Sequence, residues 1–313
     1  MTSTTVEPTA PSARSARQPD RAVERAGRRR RRSAALLTLP SWVLLIGLFA
    51  VPIGVGVYLS FRSDKIGSFV PGQFVGLDNY ERDVFNDIFV EALYTTLLIT
   101  LIALLIQIPV GMGLAVVLHQ NLRGTQLFRS IFLLPMLLTP IAVGLMWRFM
   151  FDIDLGVINF LLEEAHLSRI GWLGEKWAAR MAVVLVDSWQ TIPFVMLMTL
   201  AGLSALPEAP MEAARVDGAT PVKAFLFVTL PMLRPVLYIT LMIRVVDSLK
   251  LFDIIFILTR GGPGRSTQTL GLLSYNTGFN FLQTGRAAAI GVAVAVITLP
   301  VYFLWLRAQK AAQ

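Results

Sequence analysis

The polar stretch Glu212-Ala213-Ala214-Arg215-Val216-Asp217-Gly218, followed after a nine-residue spacer by Val228-Thr229-Leu230-Pro231, interrupts a chain that is otherwise strongly apolar. The residues before Gly218 include good helix formers, and glycine can take the positive φ that ends a helix. Pro221 suits the first turn of a second helix, which we expect to run to about Thr229. The stretch therefore predicts two short helices around a glycine bend, placed between two apolar segments.

The composition on either side of this loop is that of a membrane protein. Of the 313 residues, 55% are hydrophobic and 15% are charged, and the mean hydropathy is +0.63. Five charge-free runs and a sixth with four charges can each supply the roughly 17 to 25 residues that one helix needs to cross a bilayer. The predicted fold is therefore all-α and polytopic, with Pro135 and Pro140 bending the third span. The six predicted spans lie within Ser33–Phe61, Ala92–Leu118, Ser130–Trp147, Ser188–Pro207, Pro235–Leu258 and Ala287–Leu306.

The distribution of lysine and arginine predicts that both termini are cytoplasmic, because cytoplasmic connections retain positive charge. Nine arginines precede Ser33. We expect residues 1–32 to be a disordered basic tail on anionic lipid rather than a nucleic-acid-binding segment or a cleaved signal peptide, and residues 33–313 to form one membrane domain. One outer segment opposes the trend, since it carries Arg260, Arg265 and Arg286 without an acidic residue.

The central pattern E-A-A-x-x-x-G, nine residues, an aliphatic residue, any residue and L-P resembles the EAA loop of ABC importer permeases. Every fixed position is filled, with Val228 where the family usually has isoleucine. The resemblance implies the type I ABC importer permease fold. It also implies that a cytoplasmic loop at about 207–234 seats as a coupling helix in a groove of a separate ATP-hydrolysing subunit. The ATPase-coupling residues implied are Glu212, Ala213, Ala214, Gly218, Leu230 and Pro231.

A second stretch bears on the solute. The run from Leu258 to Leu270 is similar to the L-T-x-G-G-P-x-x-S-T-x-T-L element of carbohydrate-uptake permeases, with Arg260 where glycine is usual. This resemblance implies a sugar or sugar-like solute. Backbone that leaves the helix inside a membrane protein is tolerated where protein or water covers it, so the glycines predict a covered, non-helical turn.

The fifth predicted span carries four charges, three residues apart and alternating in sign. Each isolated charge at the bilayer centre costs about 2.5 to 3.5 kcal/mol, so this helix should face other spans or a watery path. The ladder either stabilises the bundle or lines a translocation path. Aromatic and hydrogen-bonding side chains in the fourth span and near the sixth suit a sugar, although packing between helices explains them equally well. The predicted path residues are Asp187, Trp189, Gln190, Arg244, Asp247, Lys250, Asp253 and Tyr275, with Trp147 as a further candidate.

The chain contains no G-x-x-x-x-G-K-[ST] phosphate loop, so we expect ATP and magnesium on a partner and no cofactor here. The chain has no cysteine, and with only His119 and His166 we predict neither a metal site nor a catalytic set. The expected partners are a second homologous permease, two ATP-binding subunits, an extracytoplasmic solute-binding protein, a sugar and the lipid of the cytoplasmic membrane. The alternatives left open are an ion- or proton-coupled secondary transporter, an ABC permease for a non-sugar solute, and a non-transporting membrane scaffold.

Overall fold

A computed structural model describes residues 38–120 and 124–312. Within these ranges the protein is helical, apart from one isolated antiparallel bridge between Arg62 and Phe74. The expected tail, residues 1–32, lies outside the described residues. The helices are α1 Thr38–Ser60, α2 Asp78–Asp83, α3 Asp87–His119, α4 Thr125–Leu137, α5 Pro140–Met150, α6 Val157–Glu164, α7 Lys176–Ser204, α8 Ala209–Val216, α9 Pro221–Ala224, α10 Leu230–Leu249, α11 Asp253–Leu258, α12 Leu270–Tyr275 and α13 Thr284–Ala312.

The chain divides into two compact units, Met1–Val55 and Gly56–Gln313. The first is described only from Thr38, as the beginning of α1, which contains one π-helical turn at Ile46–Ala50. The second holds all the other helices.

Several of the described helices have the length and composition of membrane spans. Helices α1, α3 and α7 qualify singly, and α4 with α5 qualifies as one broken span. The described residues thus provide three or four spans by these criteria, and the count of six, with both termini inside, stays a prediction.

The helices α3 and α7 pack closely along their length. A Cβ atom placed on Gly111 of α3 would lie 2.6 Å from Cβ of Val195 on α7, so glycine is what permits this approach. Nearer the N-terminal ends of the two helices, one apolar cluster contains Ile99, Val183 and Ile255, which are almost fully buried. This core fixes the depth at which polar side chains of α3 and α7 meet.

The third predicted span is bent by 95° between α4 and α5. The cause is Pro140, because a proline disfavours helical backbone at the preceding residue, and Thr139 is extended with ψ 138°. The break exposes the carbonyl of Leu138, which accepts a hydrogen bond of 2.9 Å from Nε2 of Gln190 on α7. The bend predicted from the prolines is confirmed. The side chain that bonds the carbonyl left free by the bend comes from another helix.

The fifth predicted span, Pro235–Leu258, is not one continuous helix, so that prediction was wrong. Helix α10 ends at Leu249 and α11 begins at Asp253. The break is possible because the hydroxyl of Thr269 donates to the carbonyl of Leu251 at 2.9 Å. A side chain thereby replaces a hydrogen bond that a continuous helix would have made.

The second helix of the central loop also differs from expectation, since it does not end at Thr229. It passes from α9 through a π-helical segment, Phe225–Thr229, directly into α10. The amide of Leu230 donates to the carbonyl of Phe225, five residues back. Pro231, the second residue of α10, has no amide hydrogen and directly follows the π-helical segment, and the helix continues past it.

Candidate functional site

The central loop has the bend predicted from its sequence. Helix α8 ends at Val216, and Gly218 takes φ +76°, the left-handed conformation that glycine adopts without strain. Thr220 then caps α9, its hydroxyl accepting the amide of Lys223 at 3.4 Å. The loop is therefore two helical pieces at a fixed angle rather than an irregular segment.

The two faces of α8 differ in exposure. Glu212 and Ala213 are exposed, whereas Ala214 is buried, so only the first two can be offered to another molecule. The apolar side chains of Val216 and Phe227 are also exposed on the loop. An exposed apolar surface next to a small residue suits close docking of a protein partner. Leu230 and Pro231 are half-buried in the first turn of α10 and belong to the support of the loop.

A cavity of about 510 Å³ separates the loop from the ends of α3 and α7. Its walls include His119, Leu206, Glu212 and Arg215. The loop is closed on itself by the hydroxyl of Thr229, which lies 3.0 Å from Sδ of Met211. The loop is therefore held together by its own contacts and packs only partly on the bundle. It can move as one rigid piece and so transmit movement.

A buried polar network joins three long helices inside the bundle. Nη2 of Arg244 on α10 donates to Oδ2 of Asp187 on α7 at 3.1 Å, and its Nε donates to Oε1 of Gln107 on α3 at 3.1 Å. Nε2 of Gln107 in turn donates to the same Asp187 oxygen at 2.7 Å. Ser248 accepts a further bond of 3.2 Å from Arg244. The network satisfies a charge pair that apolar surroundings would otherwise penalise heavily.

The predicted ladder of four charges on one helix is only partly formed. Arg244 approaches Asp247 at 3.8 Å, but its closer partner, Asp187, comes from another helix. Asp247 has 57% of its side chain exposed. Lys250 and Asp253 are exposed as well, and the helix break between them removes the regular spacing. One member of the ladder therefore belongs to the bundle core, and three lie on its surface.

The aromatic side chains considered for sugar binding pack mainly against one another. Trp189 meets Trp147 edge to face, with ring centroids 5.7 Å apart. Tyr275 lies among Phe252, Phe256 and Phe279 at 5.0 to 5.1 Å. In this cluster the ring of Phe279 is exposed. Packing against Trp147 is enough to explain the presence of Trp189. The cluster around Tyr275 also packs internally, but the ring of Phe279 stays open to the surroundings.

The glycine-rich turn after α11 is built by its threonines. Thr267, fully buried, bonds the hydroxyl of Thr259 at 2.7 Å and donates to the carbonyl of Gly262 at 2.9 Å. Arg180 of α7 donates from Nε to the carbonyl of Ser266 at 2.8 Å and fixes the turn to the bundle. Gly261, Ser266 and Thr267 are buried, whereas Arg260, Gly264 and Arg265 are exposed, so protein covers only part of the turn.

Sequence reasoning missed Gln107, the residue that links both members of the buried ion pair. The available signal was a single amide side chain in the charge-free run Ala92–Leu118. An amide at this depth indicates an interhelical hydrogen bond, although its partner cannot be read from the chain.

Comparison with known proteins adds three findings. A family model described as binding-protein-dependent transport system inner membrane component matches residues 107–311. The trehalose/maltose transport system permease protein MalF of Thermococcus litoralis is 33% identical over 273 residues, which cover 87% of this chain and 92% of that protein. The sulfoquinovosyl glycerol transport system permease protein SmoG of Agrobacterium fabrum is 34% identical over 274 residues, covering 88% and 89%.

A solved structure shares the fold. One chain of a bacterial ABC transporter involved in the import of the acidic polysaccharide alginate superimposes with a TM-score of 0.77. The identity is 22%, and the match covers 93% of this chain and 99% of that one.

Proposed function

The chain belongs to the family of binding-protein-dependent transport system inner membrane components, and we propose that it is the permease subunit of an ATP-driven ABC importer for a sugar or sugar-like solute. Support for the solute class comes from the relatives named for trehalose, maltose and sulfoquinovosyl glycerol. The glycine-rich turn with its buried threonines agrees with that class. The protein is a multi-pass membrane subunit, and ATP hydrolysis resides on a separate subunit.

The observation that carries the proposal is the exposed central loop. Its exposed residues include Ala213 and the apolar side chains of Val216 and Phe227, with Gly218 at the bend, and Glu212 is exposed although it also lines the cavity. We assign this exposed surface to the groove of an ATP-binding subunit, and Ala214, Leu230 and Pro231 to holding the loop in shape. The cavity behind the loop leaves room for the loop to shift when the ATPase closes.

The translocation path is assigned to the surface charges rather than to the buried ones. Asp247, Lys250 and Asp253 are exposed at a depth where lipid would penalise them, so they are placed against a second permease with a watery path between the subunits. Arg244, Asp187 and Gln190 are held in the bundle and position this surface. Six spans, both termini inside and the cytoplasmic membrane complete the arrangement.

Alternating access follows from these assignments. A closing ATPase pair moves the central loop, which is continuous with α10 through the π-helical segment. The ion pair between α10 and α7 then carries both helices together, because a buried salt bridge resists separation. The solute-binding protein biases the outward-facing state and delivers the solute.

The test is uptake by proteoliposomes containing the complex that copurifies with this chain. Labelled disaccharide should enter only when ATP is inside and the loaded binding protein is outside. Uptake that follows an imposed proton or sodium gradient and ignores ATP would instead establish a secondary transporter. ATP-dependent uptake of an amino acid or an ion, with none of sugars, would keep the importer and reject the solute class.

A further inference from the structure

A second cavity, of about 410 Å³, lies at the end of α7 opposite the central loop. Arg180 near the start of α7 holds the glycine-rich turn, and Leu203 near its end lines the cavity behind the loop. Because α7 has 29 residues, the two ends are about 43 Å apart. The polar walls of the second cavity include Asp83, Arg260, Arg265, Gln268, Asn276 and Arg286.

Three arginines line this cavity, and they differ in how far they are neutralised. Arg286 forms a bidentate salt bridge with the carboxylate of Asp83, to which its Nε and Nη2 both donate. Arg265 approaches Glu91 at 3.5 Å, and both side chains are about half exposed, so this pair is weak. The side chain of Arg260 has no hydrogen bond or ion pair with any residue in the described ranges, whereas its backbone amide donates to the carbonyl of Ile255 at 2.8 Å. The cavity therefore holds one free cation and one loosely held cation.

The backbone at Arg260 points to a use for its side chain. Arg260 has φ +51°, a left-handed conformation that residues with a Cβ rarely adopt. The related carbohydrate permeases usually have glycine here, which fits without strain. An arginine kept in a strained position, lining a cavity and lacking a partner, is typical of a residue that serves a binding function.

We propose that this cavity is a socket for an acidic side chain of the solute-binding protein, with Arg260 as the principal contact and Arg265 as the second. The inference rests on the proposed function, which places this end of α7 on the outer side, where a binding protein docks. A guanidinium binds a carboxylate through two parallel hydrogen bonds, and Gln268 adds an amide donor to the wall. The basic outer segment, an exception to the charge rule for topology, is explained by this role.

The first test is ATP hydrolysis by the complete importer in lipid nanodiscs, stimulated by increasing amounts of the loaded binding protein. With Arg260→Gly, which removes the cation and the backbone strain together, the half-saturating concentration should rise about five- to tenfold at low salt. Arg260→Lys should recover most of the difference. The matched control is Arg82→Gln, an arginine of α2 that pairs with exposed Asp78 and does not line the cavity.

Salt dependence separates a lost charge contact from a damaged fold. The half-saturating concentration for the wild type should rise with ionic strength, and that of Arg260→Gly should rise less steeply, because one screened contact is absent. The proposal would be overturned if Arg260→Gly had the same half-saturating concentration of binding protein as the wild type. It would also be overturned if Arg82→Gln raised that concentration as much as Arg260→Gly did. A wild-type complex that no binding protein stimulates would instead overturn the proposed function.

A second measurement locates the contact. The chain has no cysteine, so Arg260→Cys provides a unique attachment point for a photoactivatable crosslinker. Crosslinks should form to binding-protein peptides that contain aspartate or glutamate, and Arg82→Cys should yield few. Crosslinks to a surface without acidic residues, or none while stimulation persists, would contradict the proposal.

Discussion

Arg244 and Asp187, which are 57 residues apart in the sequence, form an ion pair at 3.1 Å with only 3% and 4% of each residue exposed. The pair joins α10 to α7, and Gln107 of α3 bonds both partners. Since α10 continues the central loop through the π-helical segment, the pair connects the helix that leaves the loop to the buried polar network of the bundle.

We predict that breaking this pair from one side destabilises the subunit strongly. Arg244→Met or Asp187→Leu leaves an uncompensated buried charge, which costs about 3 to 5 kcal/mol. The double variant Arg244→Met with Asp187→Leu removes both charges and should unfold closer to the wild-type temperature. Thermal unfolding of the detergent-solubilised complex measures this.

The control for the ion-pair series is Arg82→Gln, which breaks the exposed pair with Asp78 and should cost less than about 1 kcal/mol. A double variant as unstable as the sum of the two single variants would show that Arg244 and Asp187 act independently.

The bend between α4 and α5 should depend on Gln190. In Gln190→Leu the carbonyl of Leu138 loses this part-buried bond, at a cost of about 0.5 to 1.5 kcal/mol. Gln126→Leu, at an exposed position of α4, should change little. Unfolding temperatures of the two variants give the comparison, and equal values would contradict the bracing role of Gln190.

Two glycines with nearly the same φ test the central loop at a similar cost in strain. Gly218 has φ +76° and Gly67 has φ +77°, and neither would bring a Cβ within 4 Å of another atom. Alanine at either position therefore costs about the same 1 to 2 kcal/mol of backbone strain. We expect Gly218→Ala to lower uptake per ATP hydrolysed several-fold and Gly67→Ala to leave that ratio unchanged. Equal ratios would remove the bend from the coupling pathway.

Asp247 should behave differently from Asp187, although both are acidic residues of long, predominantly apolar helices. Because its side chain is 57% exposed in the subunit, Asp247→Asn should leave the unfolding temperature within a degree or two of the wild type. It should nevertheless slow sugar uptake, since the carboxylate faces the proposed path. Normal uptake kinetics in Asp247→Asn would exclude this residue from the path.

The sequence predicted local features well and long-range ones poorly. The bend at Gly218 and the break at Pro140 follow from the backbone preferences of glycine and proline, which act within one turn. The break at Leu251 was missed, because it depends on a hydroxyl from Thr269, eighteen residues further on. The partner of Arg244 was missed for the same reason. Regular spacing suggested Asp247, whereas packing of α7 against α10 brought Asp187 closer.

The most direct test of the account is whether an ATP-binding subunit docks on the exposed face of the central loop. The complex should be purified from native membranes through a tag on this chain, with its subunits identified by mass spectrometry. The wild type should bring an ATPase and a second permease. Ala213→Trp, which fills the exposed face of α8, should lose the ATPase, and Ala165→Trp, at an exposed position after α6, should retain it. Recovery of this chain alone from the wild type, or undiminished ATPase with Ala213→Trp, would contradict the account.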